Sequence, residues 1–452
     1  MPMPAANQAL HLFQWGPELT APATVVLTLD TIPTNAVDTM LLGSTTYTFR
    51  NAATVQGDIL IGTLPATKTA IIAALNGTDG LNPPNGAVKA AAAWNVNDLT
   101  ITARSRGTGG NSIPSTETFT AVTNVFATTT LLSGTGARGT LVPATSKMIV
   151  EDIDFEPLDK NIRPDLAKGL LMANRGNEQA ISRGTKWIAK DQPLSFEQLQ
   201  NWLSMLTGNF VVTPGAPNVW VFTWSPLLPP DPITWTMERR LSDGTAYVDQ
   251  RFGYAMMQKI GFKHGQNKEV SFNATGFARR IQAGPITSSL TMPAPHIPSS
   301  AEVSVYIDSS WANLGNTLVS DQVYGGDLDI DTGFIPIVTS PGRSDLDFGT
   351  YGVNAKNVQA TYKPTMLLAP GLQYNTEKTA AEAATLRAVR VQIDDTASRQ
   401  IQIDMLMKHE AASMFKIGEF QGSDVVAMNL VGSTDDTNFW RITLKNSVAT
   451  LV

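Results

Sequence analysis

The chain contains no cysteine and only four histidines among its 452 residues. Without cysteine there is no disulfide, no thiolate nucleophile and no zinc site built on sulfur. The histidines, His11, His264, His296 and His409, are scattered and form no HxH or HxxxH spacing, which argues against a histidine-based metal site. Nucleophile elbows, Walker loops and dinucleotide fingerprints are also absent. The residue chemistry therefore predicts a non-enzymatic protein without catalytic residues, cofactor or bound metal.

Charge is scarce as well. Charged residues make up 16% of the chain, against roughly 25% in typical soluble domains. Lys+Arg 33 and Asp+Glu 39 give a formal net charge of −6, which argues against a protein that grips nucleic-acid phosphates, because such binding needs a basic surface. It still allows a surface along which DNA slides. Low surface charge is typical of proteins that bury much of their surface in an assembly.

Long hydrophobic runs are missing. The longest apolar runs are far too short to span a bilayer, as Val25-Val-Leu-Thr-Leu29 illustrates. No membrane partner is therefore expected. The N-terminus lacks the positive start and apolar stretch of a secretory leader. The expectation is synthesis in the cytoplasm.

Length and composition predict several domains. Strand-like runs separated by proline and glycine clusters predict antiparallel sheets. Two segments predict short helices: Lys68 to Leu75, closed by Asn76-Gly77, and Ser195 to Leu206, with Ser195 as its cap. The fold class is therefore mainly β, a β-rich α+β chain whose packed antiparallel β-sheets are flanked by short helices. The predicted parts are an N-terminal arm at 1–22, an inserted small α+β module at 23–138, and two β-rich parts at 139–290 and 291–452.

The last two parts have features in common. They are similar in length, and each opens with a strand that ends in Ile-Asp, at Ile153-Asp154 and Ile307-Asp308. This suggests an internal duplication. The shared residues are few, so two unrelated β-rich domains are the open alternative.

Three carboxylates stand at alternate positions in Asp327-Leu-Asp329-Ile-Asp331. On a strand they project from one face. An EF-hand loop fails here, because its sixth and twelfth positions are Thr332 and Val338 instead of glycine and glutamate. Three interpretations stay open: a solvated strand face, a less regular calcium site, and an acidic face that lines a channel and repels DNA phosphates.

Asp331-Thr332-Gly333 is also the tripeptide found around the paired carboxylates of aspartic proteases. That chemistry needs two such loops that share a proton. The nearest second copy, Asp395-Thr-Ala397, lacks the glycine. The motif is therefore interpreted as a strand-to-turn transition, with a cryptic protease as the minor alternative.

The inserted module carries a pattern of its own. Thr46-Tyr-Thr-Phe49, then Ile71 to Gly77, then Leu99 to Ile113 with its Gly-Thr-Gly-Gly-Asn turn resemble a module that recurs in phage structural proteins. The resemblance covers most of 23–138. It implies an outward decoration.

The rest of the chain resembles the major tail tube proteins of long-tailed phages, through motifs that are spread over about 300 residues and appear in the same order. These motifs are Arg183-Gly-Thr-Lys186, Trp202-Leu203, Phe252-Gly-Tyr254, Ile260-Gly-Phe262, Val270-Ser-Phe-Asn-Ala-Thr-Gly276, Val303-Ser-Val-Tyr-Ile-Asp308, Ser310-Trp-Ala-Asn-Leu-Gly-Asn-Thr317, Asp331-Thr-Gly333 and Trp440-Arg-Ile-Thr-Leu-Lys-Asn446.

The resemblance implies two packed antiparallel sheets flanked by a helix. It also implies a homo-oligomer whose stacked rings enclose a DNA channel in the virion tail: trimers with pseudo-sixfold symmetry if the chain is duplicated, hexamers if not. Further implied partners are tail terminator and baseplate or tip proteins, with DNA passing unbound during ejection. Because the module interrupts this pattern, we expect the arm and Leu141 onward to lie close together. The alternative function is a virion sheath or a host-surface-binding adhesin that uses the 23–138 module.

Overall fold

The computed structural model describes residues 10–19, 21–158, 160–162, 179–224, 231–242, 246–338, 347–368, 372–410, 417–420, 422–435 and 437–451. Strands account for 51% and helices for 12%, in large antiparallel sheets with few short helices. The predicted mainly β fold is confirmed. The chain divides into two compact units, Met1–Pro17 with Leu141–Pro226 and Thr234–Val452, and Glu18–Thr140 with Leu227–Ile233.

The second unit contains the predicted module. Its elements are β2 (Pro22–Thr28), β3 (Thr39–Leu42), β4 (Thr45–Arg50), β5 (Asp58–Leu60), α1 (Leu64–Asn76), β6 (Val88–Ala90), β7 (Asp98–Arg106), β8 (Ser115–Glu117) and β9 (Val125–Phe126). They form two four-stranded sheets, in the orders β6-β7-β2-β9 and β5-β4-β3-β8.

Alternation along the strands builds the core of this unit. Leu27, Phe49 and Ile101 point inward from three strands and meet Ile71 and Leu75 of α1, because successive side chains of a strand face opposite ways. The predicted helix from Lys68 to Leu75 lies within α1, which ends at Gly77 with φ 72°. Only glycine adopts this left-handed cap without steric cost.

The first unit holds the remaining strands. They are β1 (Leu10–Pro17), β10 (Ser146–Lys147), β11 (Asp154–Pro157), β12 (Lys160–Ile162), β13 (Gln179–Ser182), β14 (Thr185–Pro193), β15 (Phe210–Thr213), β16 (Asn218–Trp224), β17 (Trp235–Ser242), β18 (Tyr247–Gly265), β19 (Ser271–Ala278), β20 (Gln282–Ala283), β21 (Val303–Asp308), β22 (Val323–Ile337), β23 (Thr350–Leu367), β24 (Arg387–Thr396), β25 (Arg399–His409), β26 (Ile417–Phe420), β27 (Ser423–Ala427), β28 (Leu430–Gly432) and β29 (Trp440–Asn446). Its helices are α2 (Leu199–Leu206) and α3 (Leu372–Glu382).

Strand pairing in this unit gives two connected antiparallel layers. One runs β11-β14-β19-β18-β22-β23, and the other runs β21-β24-β25-β29-β16-β15. The short β28 pairs with β23 and β25 and so joins them. Trp224 of the second layer contacts Phe334 of the first, with ring centroids 6.0 Å apart. Among the described residues the sheet does not close on itself.

Residues 10–17 of the predicted N-terminal arm form β1 of the first unit, whereas the arm's residues from Glu18 onward belong to the second unit. β1 pairs with β17 along its whole length and with β10 at Gln14 and Trp15, so the expected proximity of the arm to the residues after Leu141 is confirmed. Trp15 is fully buried, with ring centroids 4.8 Å from Trp202 and 5.1 Å from Trp235. These aromatic contacts anchor the arm.

Helix α2 begins later than predicted. It starts at Leu199, and Gln198 instead of Ser195 occupies the N-cap position. The Gln198 side chain accepts a hydrogen bond from the Ile149 amide at 2.7 Å and donates one to the Lys147 carbonyl. The Ser195 hydroxyl meets Glu197 instead of a helix amide. These longer-range bonds hold the preceding residues in a turn.

Both β-rich parts belong to the same unit. Each contains a long hairpin, β17–β18 before residue 290 and β22–β23 after it. An internal duplication stays a prediction.

Candidate functional site

The three predicted site carboxylates lie on β22. Asp327, Asp329 and Asp331 alternate with the fully buried Leu328 and Ile330, so the prediction that they share one strand face is confirmed. The cause is the two-residue period of the strand, which places every second side chain in the core.

Lysines of β18 face these carboxylates. In the antiparallel register Lys259 opposes Asp331, Gly261 opposes Asp329 and Lys263 opposes Asp327. The Lys259 ammonium lies 3.1 Å from an Asp329 oxygen. Asp329 leans into the space above Gly261, which a larger residue would fill.

Two further charges complete the face. Lys263 binds Asp191 at 2.9 Å, and this hydrogen bond, helped by the charges of Asp327 and Asp329, raises the pKa of Lys263. On the other side of β22, Lys363 of β23 opposes Asp327. The face thus combines carboxylates with lysines, whereas the sequence analysis identified only the carboxylates. The alternation in Lys259-Ile-Gly-Phe-Lys263 was the sequence pattern that could have indicated a second charged strand.

Asp331-Thr332-Gly333 forms a β-bulge. Gly333 has φ 67° and donates its amide to the Asp331 carboxylate at 2.8 Å, while the pairing with β23 shifts register between Thr332 and Phe334. Burial raises the pKa of Asp331. A left-handed glycine in a bulge is an ordinary way to bend a strand.

The second carboxylate that a protease would need, that of Asp395, contacts other residues. Asp395 pairs with His296 at 2.9 Å and with Arg399 at 3.4 Å. In the part of the chain that the structure describes, no hydrogen bond or ion pair joins Asp395 to Asp331. The bulge therefore needs no catalytic explanation.

The end of the β22–β23 hairpin carries an exposed apolar patch. We call Ile335 and Ile337, which lie on one face of β22, the hairpin patch; they are 39% and 38% exposed. Exposed apolar side chains at alternate positions of a strand form a surface of the kind that marks interaction sites. No local pattern in the sequence reveals this patch, because exposure depends on which strands pair beside the hairpin.

The outer edge of β23 is open along the same hairpin. β22 pairs with one side of β23, while β28 and β27 pair with the other side only from Thr361 onward. Among the described residues no strand covers the outer edge at 350–360. A strand edge that no neighbouring strand covers can pair with another chain.

A cleft of about 790 Å³ lies beside the β18–β19 turn and is lined by His264, Lys268, Ser300 and Tyr324 among others. His264 Nε2 lies 3.1 Å from the Tyr362 hydroxyl. Burial lowers the pKa of His264 to about 4, so the imidazole is neutral at pH 7.

His264 predicts an acid-sensitive fold. In the unfolded chain His264 binds a proton near pH 6.5, whereas in the folded chain it does not bind one until about pH 4. The contribution of the neutral imidazole to the free energy of unfolding is therefore fully present above pH 6.5 and falls as the pH drops toward 4. When the pH is lowered from 7 to about 4.5, we expect the free energy of unfolding of His264→Gln to fall by about 2 kcal/mol less than that of the parent. Urea unfolding at both pH values checks this; an equal loss contradicts it.

No family model matches the chain, and no curated protein matches it. Among the described residues, no group of three or more His, Asp or Glu side chains is placed to hold a metal ion, and no described helix combines the length and apolarity needed to cross a bilayer. The hairpin patch, the open β23 edge and the mixed β18–β22 face are the features left to explain.

Proposed function

We propose that this chain is a structural subunit that assembles with copies of itself into stacked rings, and that these rings form a phage tail tube through which DNA passes. The observation that carries the proposal is the β22–β23 hairpin, which combines the hairpin patch with an open strand edge. The sequence resemblance supplies the name of the assembly. Terminator and baseplate or tip proteins would then meet the ends of the tube in the virion.

The open edge of β23 gives a physical reason for assembly. An exposed edge with apolar side chains is an aggregation hazard unless another strand covers it. A neighbouring copy that contacts the hairpin through a different part of its surface forms a heterologous interface, which closes into a ring if the rotation permits. Closure of the sheet across copies would pair this strand edge with a strand of the neighbouring copy.

The β18–β22 face suits a DNA channel. Asp327, Asp329 and Asp331 are balanced in part by Lys259 and Lys263, so the face lacks the uncompensated positive charge that would hold phosphates. Within the proposed tube this face lines the channel. DNA then passes without specific binding.

Microscopy of the purified full chain tests the assembly. We expect negative-stain images to show rings or hollow tubes with a channel wide enough for duplex DNA. The same preparations would distinguish trimers from hexamers by their symmetry. A monodisperse monomer at high concentration contradicts the proposal.

Charge reversal tests the channel face. The double change Asp327→Lys and Asp329→Lys makes the face basic, so we expect tubes to form but DNA delivery to fall at low salt, because the phosphates are retained. Particle assembly and DNA release are measured in complemented phage. The double change Asp98→Lys and Glu382→Lys, which reverses two charges at exposed positions outside this face, is the matched control. Unchanged DNA delivery by the double variant removes the support for this lining.

An adhesin or sheath is the second candidate. It is favoured by the separate core of the second unit, in which two sheets pack around α1. Deletion of 23–138 separates the two functions. A tube subunit still polymerises after the deletion, whereas an adhesin loses its main activity.

A further inference from the structure

An amine and a carboxamide face each other in the second unit. Lys68 of α1 is 9% exposed, and its Nζ donates to Asn97 Oδ1 at 2.7 Å and to the Val96 carbonyl at 2.9 Å. Asn97 lies in the turn before β7. The contact therefore places a nucleophile, Lys68 Nζ, beside the acyl carbon Cγ of Asn97, whose leaving group is the amide nitrogen Nδ2.

Two neighbours shape this contact. The Trp94 ring centroid lies 5.1 Å from Lys68 Nζ, and the Trp94 indole donates to the Lys68 carbonyl at 2.9 Å. On the far side of the amide, Asn97 Nδ2 donates to the Asp30 carboxylate. The amine is enclosed, while the leaving nitrogen points toward an exposed acid.

We propose that Lys68 and Asn97 join in an intramolecular isopeptide bond, with Asp30 as the group that transfers the proton. The Lys68 ammonium gives one proton to the Asp30 carboxylate, the Nζ lone pair attacks Cγ of Asn97, a bond forms between Nζ and Cγ, and the bond between Cγ and Nδ2 breaks. Asp30 passes that proton to Nδ2, and the second proton that Nζ sheds follows it. Nδ2 therefore leaves as an ammonium ion, and atoms and charge balance without any co-reactant.

Proximity is the reason that this reaction becomes accessible. Free amines and amides do not exchange at a useful rate, but a held pair gains a large effective concentration. Burial of Lys68 holds its amine beside the Asn97 side chain instead of in solvent. Asp30 acts on the step that is otherwise slow, departure of the amide nitrogen.

The bond would give a chain without cysteine a covalent cross-link. It would connect α1 to the turn before β7, across 29 positions of sequence. Covalent closure of such a loop restricts the unfolded chain and raises stability. This inference does not depend on the proposed tube.

Mass spectrometry of the purified full chain tests the bond. We expect the intact mass to be lower than the sequence mass by one ammonia. Trypsin should fail to cleave after Lys68, and a single branched peptide should contain both Lys68 and Asn97. An intact mass equal to the sequence mass, with normal cleavage after Lys68 in folded chain held until no further change, overturns the proposal.

Variants assign the roles. Lys68→Arg keeps the charge but removes the amine nucleophile, and Asn97→Ala removes the acceptor; each should restore the full mass. Lys89→Arg, another lysine of the same unit, is the matched control and should still lose ammonia. Circular dichroism verifies that each variant is folded, and the parent's own mass decides the question if one is not.

Asp30 has a separate readout. Asp30→Asn should leave Lys68 and Asn97 in place but slow the appearance of the branched peptide, and Asp30→Glu should restore part of the rate. Time courses of freshly purified protein measure this. If Asp30→Asn forms the bond as fast as the parent, the proton-transfer role of Asp30 is wrong while the bond itself stands.

Discussion

The double change Ile335→Lys and Ile337→Lys is expected to abolish tube assembly at concentrations where the parent polymerises, while the single chain stays folded. Both side chains are already part exposed in the single chain, so lysine costs the monomer little. In an interface each isoleucine contributes about 1 to 2 kcal/mol of burial, and an unpaired lysine adds a desolvation cost. The critical concentration should rise by at least about tenfold. Sedimentation and microscopy across a concentration series measure it.

The double change Val55→Lys and Val122→Lys is the control for this experiment. Both side chains belong to the second unit and are 59% and 92% exposed, so this variant adds the same two charges at exposed apolar positions outside the hairpin. It should leave the critical concentration unchanged. If the hairpin variant assembles as readily as this control, the hairpin patch is not an interface.

Replacement of Glu377 by alanine is expected to lower the free energy of unfolding of the first unit by about 3–5 kcal/mol. Glu377 of α3 is fully buried and accepts hydrogen bonds from Arg387 at 3.0 and 2.5 Å, from His409 at 2.7 Å and from Gln373 at 2.6 Å. Its loss leaves a buried guanidinium without a counter-charge, which is more costly than loss of a surface pair. Urea unfolding monitored by tryptophan fluorescence measures the change.

A surface acid of the same helix provides the comparison. Glu382 pairs with Lys378 at 3.9 Å in an exposed pair, so Glu382→Ala should change stability by less than about 0.5 kcal/mol. Combined replacement Glu377→Leu and Arg387→Met should recover much of the loss, because it removes both charges together. A Glu377→Ala variant as stable as Glu382→Ala contradicts the role of the buried cluster.

Local patterns predicted the parts of the fold that depend on local geometry. The shared face of Asp327, Asp329 and Asp331 follows from the two-residue period of a strand, and the end of α1 follows from the glycine at Gly77. The same reasoning placed the start of α2 at Ser195. It failed there because Gln198 bonds to backbone groups of Lys147 and Ile149, and no local pattern contains those partners.

The candidate site depends still more on distant neighbours. Lys259 and Lys263 face the Asp327–Asp331 strand only because β18 and β22 pair in one particular register, and a shift of one residue would send them to the other side. Asp30, Lys68 and Asn97 are likewise far apart in sequence and meet through tertiary packing.

By itself the sequence determined that this protein is mainly β, that it has no cysteine, and that three carboxylates share a strand face, because composition and residue period act locally. Only the tertiary structure decided that lysines share that face, that the hairpin patch and the edge at 350–360 are open, and that Lys68 meets Asn97. The physical reason is that exposure, charge balance and reactivity are set by neighbours that the chain brings together from a distance.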